Sequence, residues 1–451
     1  MRSFDVVVVG AGPAGEVAAG RLAEKGLKVA IVEDRLVGGE CSFWACMPSK
    51  ALLRPYEALA EVERIPGAAE AVTGKLDVAA VLARRDQIVH DLSDDAQLPW
   101  LEDRGIELIR GHGRLSGERR VTVSGEEIAA KRAVFLAPGS GPKLPPIPGL
   151  DGIDGEWTNR DATTTHEIPE RLVVLGGGVV GVELSQAFQT LGSQVTLIEG
   201  ARRLIPNEEE FACVQLTAAL RDYGVEIRTA QKAEAIEQHD DGTITVTTTD
   251  GGTVLADKVL VALGRTPLTK DLGLEVVGLK PGELIHVDAH NRVPGHDWLY
   301  AIGDVNGKAL FTHMGKYQAR ISADHVLGHD HVISHGADGP LSPRVIFTEP
   351  QVAAVGHTSE TAEEAGLIFD IVETSTSGNA GGSFYGRNAP GTTRWIVDRE
   401  RRIVVGCTIT GAEIADFLHA ATIAIVGEVP VERLRHAVPS FPTRSEIWLK
   451  L

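Results

Sequence analysis

A chain of 451 residues with 62 acidic and 44 basic side chains carries a net charge of −18, which excludes nucleic acid and anionic membrane surfaces as partners, because phosphate binding needs a basic face. Hydrophobic residues make up 43% and charged residues 24%, the balance of a globular protein, and the length implies two or three domains. No apolar run approaches the roughly 18 residues of a membrane span, and the N-terminus lacks a signal peptide's long apolar region and small-residue cleavage site, so a cytoplasmic protein is expected.

Residues 6–9 are four consecutive valines, the run expected of a strand buried on both faces of a parallel sheet. The turn Gly10-Ala11-Gly12-Pro13-Ala14-Gly15 follows, then a helical pattern, then an apolar strand at 29–32 ending in Glu33. In such a turn the first glycine makes a tight bend, the second lets the backbone approach a pyrophosphate, and the third lets helix pack on strand. The helix start offers unpaired N–H groups and a positive dipole end to the phosphates, and the acidic residue can accept from a ribose hydroxyl.

Next comes Gly38-Gly39-Glu40-Cys41-Ser42-Phe43-Trp44-Ala45-Cys46-Met47-Pro48-Ser49-Lys50. Cys41 and Cys46 are close enough in sequence to reach a disulfide's Cα spacing of about 4.4–6.8 Å. If Cys46 opens a helix, the dipole favours its thiolate. Such a pair beside a dinucleotide loop points to redox-active thiols. A zinc half-site or two buried thiols are the alternatives, but zinc would need two further ligands and no second cysteine or histidine pair stands at metal spacing, so no metal is expected. Phe43 and Trp44 either fill core space or narrow a pocket at the cysteines, and Arg54, one turn beyond Lys50, is either structural or a holder of an anionic substrate. Cys213 and Cys407 stand alone and read as buried thiols.

Helical patterns near 46–64 and 77–104 lead to short strands at 120–123 and 134–136, and the Pro-rich stretch 142–149 reads as a linker. The opening unit then recurs: a strand at 172–175, the turn Gly176-Gly177-Gly178-Val179-Val180-Gly181, a helical pattern, and a strand at 195–198 ending in Glu199. In both copies the acidic residue falls the same distance after the first glycine. Two such sites in one chain imply a two-cofactor enzyme, with tightly held FAD at Gly10, Gly12, Gly15 and Glu33 and an exchangeable nicotinamide dinucleotide at Gly176, Gly178, Gly181 and Glu199. Glu199 would repel a 2′-phosphate, which favours NAD(H) over NADP(H), while Arg202 and Arg203 weaken that preference. A second boundary falls near Leu263-Gly264-Arg265-Thr266-Pro267, and from about residue 340 the pattern becomes α+β.

Together these pieces resemble the class I pyridine nucleotide-disulfide oxidoreductases, the group of dihydrolipoamide dehydrogenase, glutathione reductase and mercuric reductase. The Gly-Gly-x-Cys-x4-Cys-x-Pro-Ser-Lys stretch at 38–50 carries the resemblance most specifically. It is joined by Leu299-Tyr300-Ala301-Ile302-Gly303-Asp304, by Ala137-Pro138-Gly139-Ser140 and the stretch through Gly264, and by Phe347-Thr348-Glu349-Pro350 with Val355-Gly356. The resemblance implies an α/β fold with two Rossmann-like nucleotide-binding domains plus a C-terminal α+β dimerisation domain. The FAD-binding domain would take 1–148 and 268–338, the NAD(P)-binding domain 149–267, and the dimerisation domain 339–451. It also implies roles. Cys46 would contact the flavin, and Cys41 would be the interchange thiol facing a small-molecule substrate. Lys50 would sit near flavin N5 and pair with Glu183. Asp304 would contact the ribityl and phosphate region, His313 would pack along the flavin ring, and Gly139 and Gly264 would lie in the connections beside the two cofactors. A homodimer would complete each site with the partner's C-terminal domain.

One departure matters. The resemblance implies a His-Pro-Thr-x-x-Glu segment from the partner, but this chain reads Phe441-Pro442-Thr443-Arg444-Ser445-Glu446. Phenylalanine cannot transfer a proton, a service worth about 10²–10⁴-fold, and Glu446 loses its usual partner. His436, five residues upstream, would need a shifted backbone to substitute. The expected reaction is hydride transfer from nicotinamide to flavin to Cys41–Cys46 and on to an unidentified disulfide or thiol acceptor. An NAD(P)H:quinone-type reductase working directly from flavin is one alternative. Another is a carboxylase-type variant resembling 2-ketopropyl-coenzyme M oxidoreductase/carboxylase, which also has phenylalanine at the histidine position but a histidine where Glu446 stands. A non-enzymatic redox sensor is a third. Mercuric reduction is not expected, since no cysteine pair stands near residue 451.

Overall fold

In the computed structural model, which describes residues 1–334, 339–386, 389 and 391–451, the valine run lies in the strand Arg2–Val9. Residues 335–338, where the expected flavin-binding segment meets the dimerisation segment, lie outside the described residues. The chain divides into two units. The first comprises Met1–Pro48, Asp86–Pro142 and Arg265–Pro340; the second comprises Ser49–Arg85, Lys143–Gly264 and Leu341–Leu451. Two of the cuts fall after Pro142 and after Gly264.

In the first unit, Arg2–Val9 pairs in parallel with Val29–Glu33 on one side and Glu126–Leu136 on the other. Glu107–Arg110 extends the sheet beyond Val29–Glu33, and Leu299–Ala301 pairs in parallel with Glu126–Leu136. Successive side chains of a strand point to opposite faces, and the valines divide accordingly. Val6 and Val8 pack with Leu22 of the helix Pro13–Ala23 and Ala319 of the helix Thr312–Val326. Val7 and Val9 pack on the other side with Val121, Leu136 and Leu299. A strand with no polar face therefore needs two cores, and the unit has both.

The second unit repeats the arrangement. Glu226–Thr229, Gln194–Glu199, Arg171–Leu175, Lys258–Val261 and Glu156–Trp157 form a parallel sheet in that order. Leu172 and Val174 pack with Val182 and Phe188 of the helix Val179–Leu191. Val173 and Leu175 pack against the antiparallel sheet of Ala233–Gln238, Ile244–Thr248 and Thr253–Ala256. The C-terminal part is the expected α+β: an antiparallel sheet ordered Arg344–Ile346, Gln351–Gly356, Ile403–Gly411, Thr392–Asp398 and Phe369–Ser375, with Trp395 fully buried.

The expected helix at 77–104 is not continuous. It forms as Val78–Ile88 and Leu98–Glu102, and between them His90, Asp91 and Leu92 all have positive φ, at 50°, 51° and 58°. Left-handed residues cannot continue a right-handed hydrogen-bond ladder. Pro99 falls in the first turn of the second helix, where its missing N–H leaves nothing unsatisfied. Cys213 and Cys407 are buried, as expected, and burial pushes the Cys213 thiol up to about 11. Among the described residues, no helix is long and apolar enough to cross a membrane.

Candidate active site

The two glycine loops are built alike. Gly10 and Gly176 have φ of +102° and +107°, a conformation that side-chain-bearing residues avoid. A Cβ on Gly15 would collide with the Gly10 carbonyl, and one on Gly181 with the Gly176 carbonyl. A Cβ on Gly12 or Gly178 would meet nothing, so at these helix starts the backbone is open to close approach. These features fit a pyrophosphate at each loop. The acids also bond within their own loops. Glu33 accepts from the Ala11 N–H at 2.7 Å and the Arg35 N–H at 2.8 Å. Glu199 accepts from the Gly177 and Ala201 N–H groups, both at 2.5 Å. Each carboxylate thus braces its own loop. Burial still raises the Glu33 pKa, with those two N–H groups working in the opposite direction. Arg203 is engaged by the Pro206 carbonyl and Glu360, both at 3.3 Å, while Arg202 is exposed.

The cysteine stretch follows from its glycines. Gly38 and Gly39 take φ of 111° and 60°, and the Gly38 N–H donates to the Ala11 carbonyl at 2.8 Å, tying the turn to the first loop. A short helix, Gly39–Phe43, carries Cys41; Trp44, with φ −132°, ends it. A new helix, Cys46–Arg64, opens at Cys46 as anticipated, with Pro48 in its first turn. Cys41 and Cys46 are free thiols, with Cys41 in the short helix and Cys46 opening the next. Cys46 Sγ lies 3.4 Å from Thr312 Oγ1. The Cys46 thiol and burial push the Cys41 thiol well above its ordinary pKa, while Thr312 and Lys316 pull it down. Phe43 is buried and fills core space; Trp44 is half-buried, its ring 5.7 Å from that of Phe43.

Elsewhere in the first unit, Asp304 accepts from Ser140 Oγ at 2.5 Å, and Arg265 donates to Ser140 Oγ at 2.7 Å and to its carbonyl at 2.6 Å. Arg265 also lies 3.5 Å from Glu40. Gly139, with φ +75°, accepts from the Leu268 N–H. His313 is exposed and stacks on Phe311 at 5.4 Å. Thr312 and Arg265 were not singled out from sequence. Arg265 had a signal, the Gly-Arg-Thr-Pro turn; Thr312 had none.

The second unit holds the other anticipated pair. Lys50 Nζ lies 2.7 Å from Glu183 Oε2, and Glu183 Oε1 accepts from the Phe347 N–H at 2.9 Å. The Phe347 ring lies 4.7 Å from the Lys50 ammonium. Gln186, one turn after Glu183, accepts from the Glu349 N–H at 2.8 Å and donates to its carbonyl at 3.1 Å. Sequence reasoning gave Phe347 only as part of the stretch 347–350, without its contacts to Glu183 and Lys50, and missed Gln186. Arg54 is exposed and bound to Glu57 at 2.9 Å and Glu413 at 3.4 Å, the structural alternative for that residue. Gly264, with φ +107°, accepts from the Lys143 N–H at 3.0 Å.

The C-terminal segment is anchored by Arg444, which donates to the Ala412 and Glu413 carbonyls and covers the Tyr385 ring at 3.7 Å. Phe441 is 76% exposed and precedes a cis peptide bond to Pro442. Glu446 Oε2 is buried and finds no hydrogen-bond partner among the described residues. His436 is exposed at the end of the turn after Val431–Leu434. Among the described residues no cluster could hold a metal ion.

Comparison with known proteins agrees with this geometry. A family described as pyridine nucleotide-disulphide oxidoreductase matches residues 4–323, and that family's dimerisation domain matches residues 342–451. Dihydrolipoyl dehydrogenase of Thermus scotoductus is 33% identical over 455 aligned residues, covering 99% of this chain and 96% of that protein. Mercuric reductase of Staphylococcus aureus is 30% identical, covering 98% of this chain and 81% of that protein. Among solved structures, the HOCl-induced flavoprotein disulfide reductase RclA of Escherichia coli superposes with a TM-score of 0.88 at 25% identity, covering all of this chain and 99% of that one.

Proposed function

The chain belongs to the pyridine nucleotide-disulfide oxidoreductases, flavin-dependent enzymes that use FAD, and from that premise we propose that it carries reducing equivalents from NADH through flavin to the Cys41–Cys46 pair and on to a disulfide-bearing small molecule. The observation that carries the reading is the pair of free thiols, Cys41 in the helix Gly39–Phe43 and Cys46 at the opening of the helix Cys46–Arg64. FAD supplies a two-electron relay between a hydride donor and a disulfide. Gly10, Gly12, Gly15, Glu33, Gly139, Asp304 and His313 are assigned to holding it. Gly176, Gly178, Gly181, Glu199 and Gly264 are assigned to the nicotinamide dinucleotide.

In this reading Cys46 is the flavin-side thiol and Cys41 the interchange thiol. The Cys41 thiolate attacks the substrate disulfide, forming a mixed disulfide and releasing one substrate thiolate. Cys46 then attacks Cys41, releasing the second substrate thiol and restoring the Cys41–Cys46 disulfide. Lys50, fixed by Glu183, supplies positive charge against the negative charge of reduced flavin. Glu199 favours NADH over NADPH, since a 2′-phosphate would approach a carboxylate. Residues 1–148 with 268–338 are assigned to FAD, 149–267 to nicotinamide and 339–451 to dimerisation. A homodimer is supported by the exposed apolar residues Ile423, Val426, Val438, Phe441 and Leu449 in the matched dimerisation domain. A cytosolic setting fits two unbridged buried cysteines, Cys213 and Cys407.

Phe441 favours a second reading, direct transfer from flavin to a quinone, which needs no histidine. Anaerobic titration with NADH separates the two. Long-wavelength absorption of a thiolate against flavin after two electrons supports the disulfide route. Flavin reduction without that band, together with rapid quinone reduction, supports the quinone route and overturns the first.

A further inference from the structure

Gln318 is fully buried in the helix Thr312–Val326, and nothing in the proposed electron path uses it. Burying a side-chain amide costs free energy unless its polar atoms are bonded. Its side-chain oxygen, Oε1, accepts from the Gly303 N–H at 2.8 Å and from Asn306 Nδ2 at 2.9 Å. Both donors belong to the short helical turn Gly303–Asn306, which follows the strand Leu299–Ala301 and carries Asp304. Asn306 is also buried. Its Nδ2 donates to the Ala301 carbonyl at 3.1 Å, and its Oδ1 accepts from the Lys308 N–H at 3.1 Å. One glutamine oxygen therefore holds both ends of the turn, and Asn306 ties the turn back to the strand.

The turn lies where the first glycine loop and the helix Thr312–Val326 converge. A side chain's first carbon on Gly303 would lie 3.4 Å from Ala14 Cβ. One on Gly315 would lie 3.2 Å from Ala14 Cβ and 3.4 Å from Gly303 Cα. Ala14 belongs to the first glycine loop, and Gly315 stands one turn before Gln318 on the same face of its helix. Close packing thus sets how near the turn comes to the loop, and the two bonds to Gln318 keep it there. Asp304 itself accepts from Ser140 Oγ at 2.5 Å. Ser140 orients the carboxylate, and Gln318 holds the backbone that carries it.

We propose that Gln318 is a positioning residue for FAD: its buried side-chain oxygen fixes the Gly303–Asn306 turn so that Asp304 is presented beside the first glycine loop. This rests on the reading of Asp304 as a residue that holds FAD. Without that oxygen the buried Gly303 N–H loses its acceptor, and a buried donor left unpaired is costly enough to make the turn shift. Asp304 then moves with it, and FAD is held less tightly.

The test is the dissociation constant of FAD, read from the flavin fluorescence released on dilution of the loaded protein, in a double-mutant cycle with Asp304. Gln318→Met keeps the length of the side chain and removes the acceptor. It is expected to weaken FAD binding about tenfold, about 1.4 kcal/mol. Gln318→Glu keeps an acceptor oxygen for both donors and is expected to stay within about threefold of the parent. Asp304→Asn is expected to weaken FAD binding by itself. In that background Gln318→Met should add less than about twofold, because two residues acting through one carboxylate are not additive. An unchanged constant in Gln318→Met, an equal loss in Gln318→Glu, or a full loss that persists beside Asp304→Asn overturns the inference and leaves the reading of Asp304 standing. An unchanged constant in Asp304→Asn overturns that reading and the inference with it. If Gln318→Met does not fold, Asn306→Ala takes its place in the cycle, since it removes one of the two bonds to Gln318 Oε1. Its expected loss is about threefold, and no loss there overturns the inference equally.

Discussion

Glu183 holds Lys50 with one carboxylate oxygen, at 2.7 Å, and the Phe347 N–H with the other, at 2.9 Å. The glutamate side chain is 4% exposed and the lysine 33%, so the lysine keeps part of its hydration and the pair is worth less than a fully buried one. Glu183→Gln keeps an acceptor for Phe347 and removes the charge opposite Lys50. It is expected to cost about 1–2 kcal/mol in urea unfolding. It is also expected to slow flavin reduction by NADH at least tenfold in stopped-flow experiments, about 1.4 kcal/mol on the barrier. A rate within twofold of the parent would remove Lys50 from the reductive step.

Phe347 adds a second restraint on the same ammonium, its ring face 4.7 Å away. A cation over an aromatic ring is worth about 0.5–1 kcal/mol where water has access. Phe347→Leu keeps the backbone N–H and removes the ring, so flavin reduction should slow about two- to fivefold. Phe347→Tyr, which retains a π face, should match the parent. Equal loss in both variants would mean that the ring acts by packing alone.

Glu199 accepts two N–H groups of the second glycine loop and also faces the nicotinamide dinucleotide in the proposed reading. Glu199→Gln removes its charge and leaves one acceptor oxygen. The ratio of kcat/KM for NADH over NADPH is expected to fall at least tenfold, mainly because NADPH improves, since a unit charge at about 5–7 Å is worth more than 1 kcal/mol in a half-solvated cleft. A fall caused only by weaker NADH use would point instead to loss of the loop brace.

The glycine loops and the cysteine stretch were legible because their chemistry is local. A phosphate-binding turn needs its glycines, helix start and acid within one strand–helix–strand unit, and a disulfide at a helix opening needs its cysteines close in sequence. Thr312, 266 residues from Cys46, and Phe347, far along the chain from Lys50, are brought to their partners by tertiary packing alone. Thr312 has no motif that announces it, and the Phe-Thr-Glu-Pro stretch that holds Phe347 gives no sign of its contact with Lys50. The break between Val78–Ile88 and Leu98–Glu102 was hidden for another reason: His90, Asp91 and Leu92 adopt left-handed φ without being glycine, so the apolar spacing ran on across a real interruption.

Glu16 gives the fold a pH dependence of definite sign. Its carboxyl is pushed up from the ordinary glutamate value of 4.5 to about 7 in the folded protein, chiefly because it is buried. Between these values the folded state holds a proton that the unfolded chain has released, so stability falls as pH rises from 4.5 to 7. Above 7 both states are ionised, and the penalty is complete at about 3 kcal/mol. Glu16→Gln should therefore be more stable than the parent by about 1–3 kcal/mol at pH 8 and about equal to it at pH 4.5. Urea midpoints at the two pH values check this; a gain of the same size at both would assign the effect to packing.

In the proposed reading Phe441 and Glu446 would stand where a proton-transfer dyad is expected, and phenylalanine cannot serve as its base. Phe441 is exposed, and Glu446 Oε2 is buried without a hydrogen-bond partner among the described residues. A histidine at position 441 could transfer the proton that Cys41 must lose and regain, and Glu446 could accept from its ring. Phe441→His is accordingly expected to raise kcat/KM for small disulfides or dihydrolipoamide at least tenfold, within the roughly 10²–10⁴-fold that general acid–base help supplies. The gain should titrate near the ordinary imidazole value of about 6.5, and Phe441→His combined with Glu446→Gln should lose most of it. If Phe441→His gains nothing while NADH still reduces the Cys41–Cys46 pair, the obstacle is the substrate pocket rather than the missing proton carrier. Half-buried Trp44, beside the cysteines in the chain, is then the side chain to reduce next.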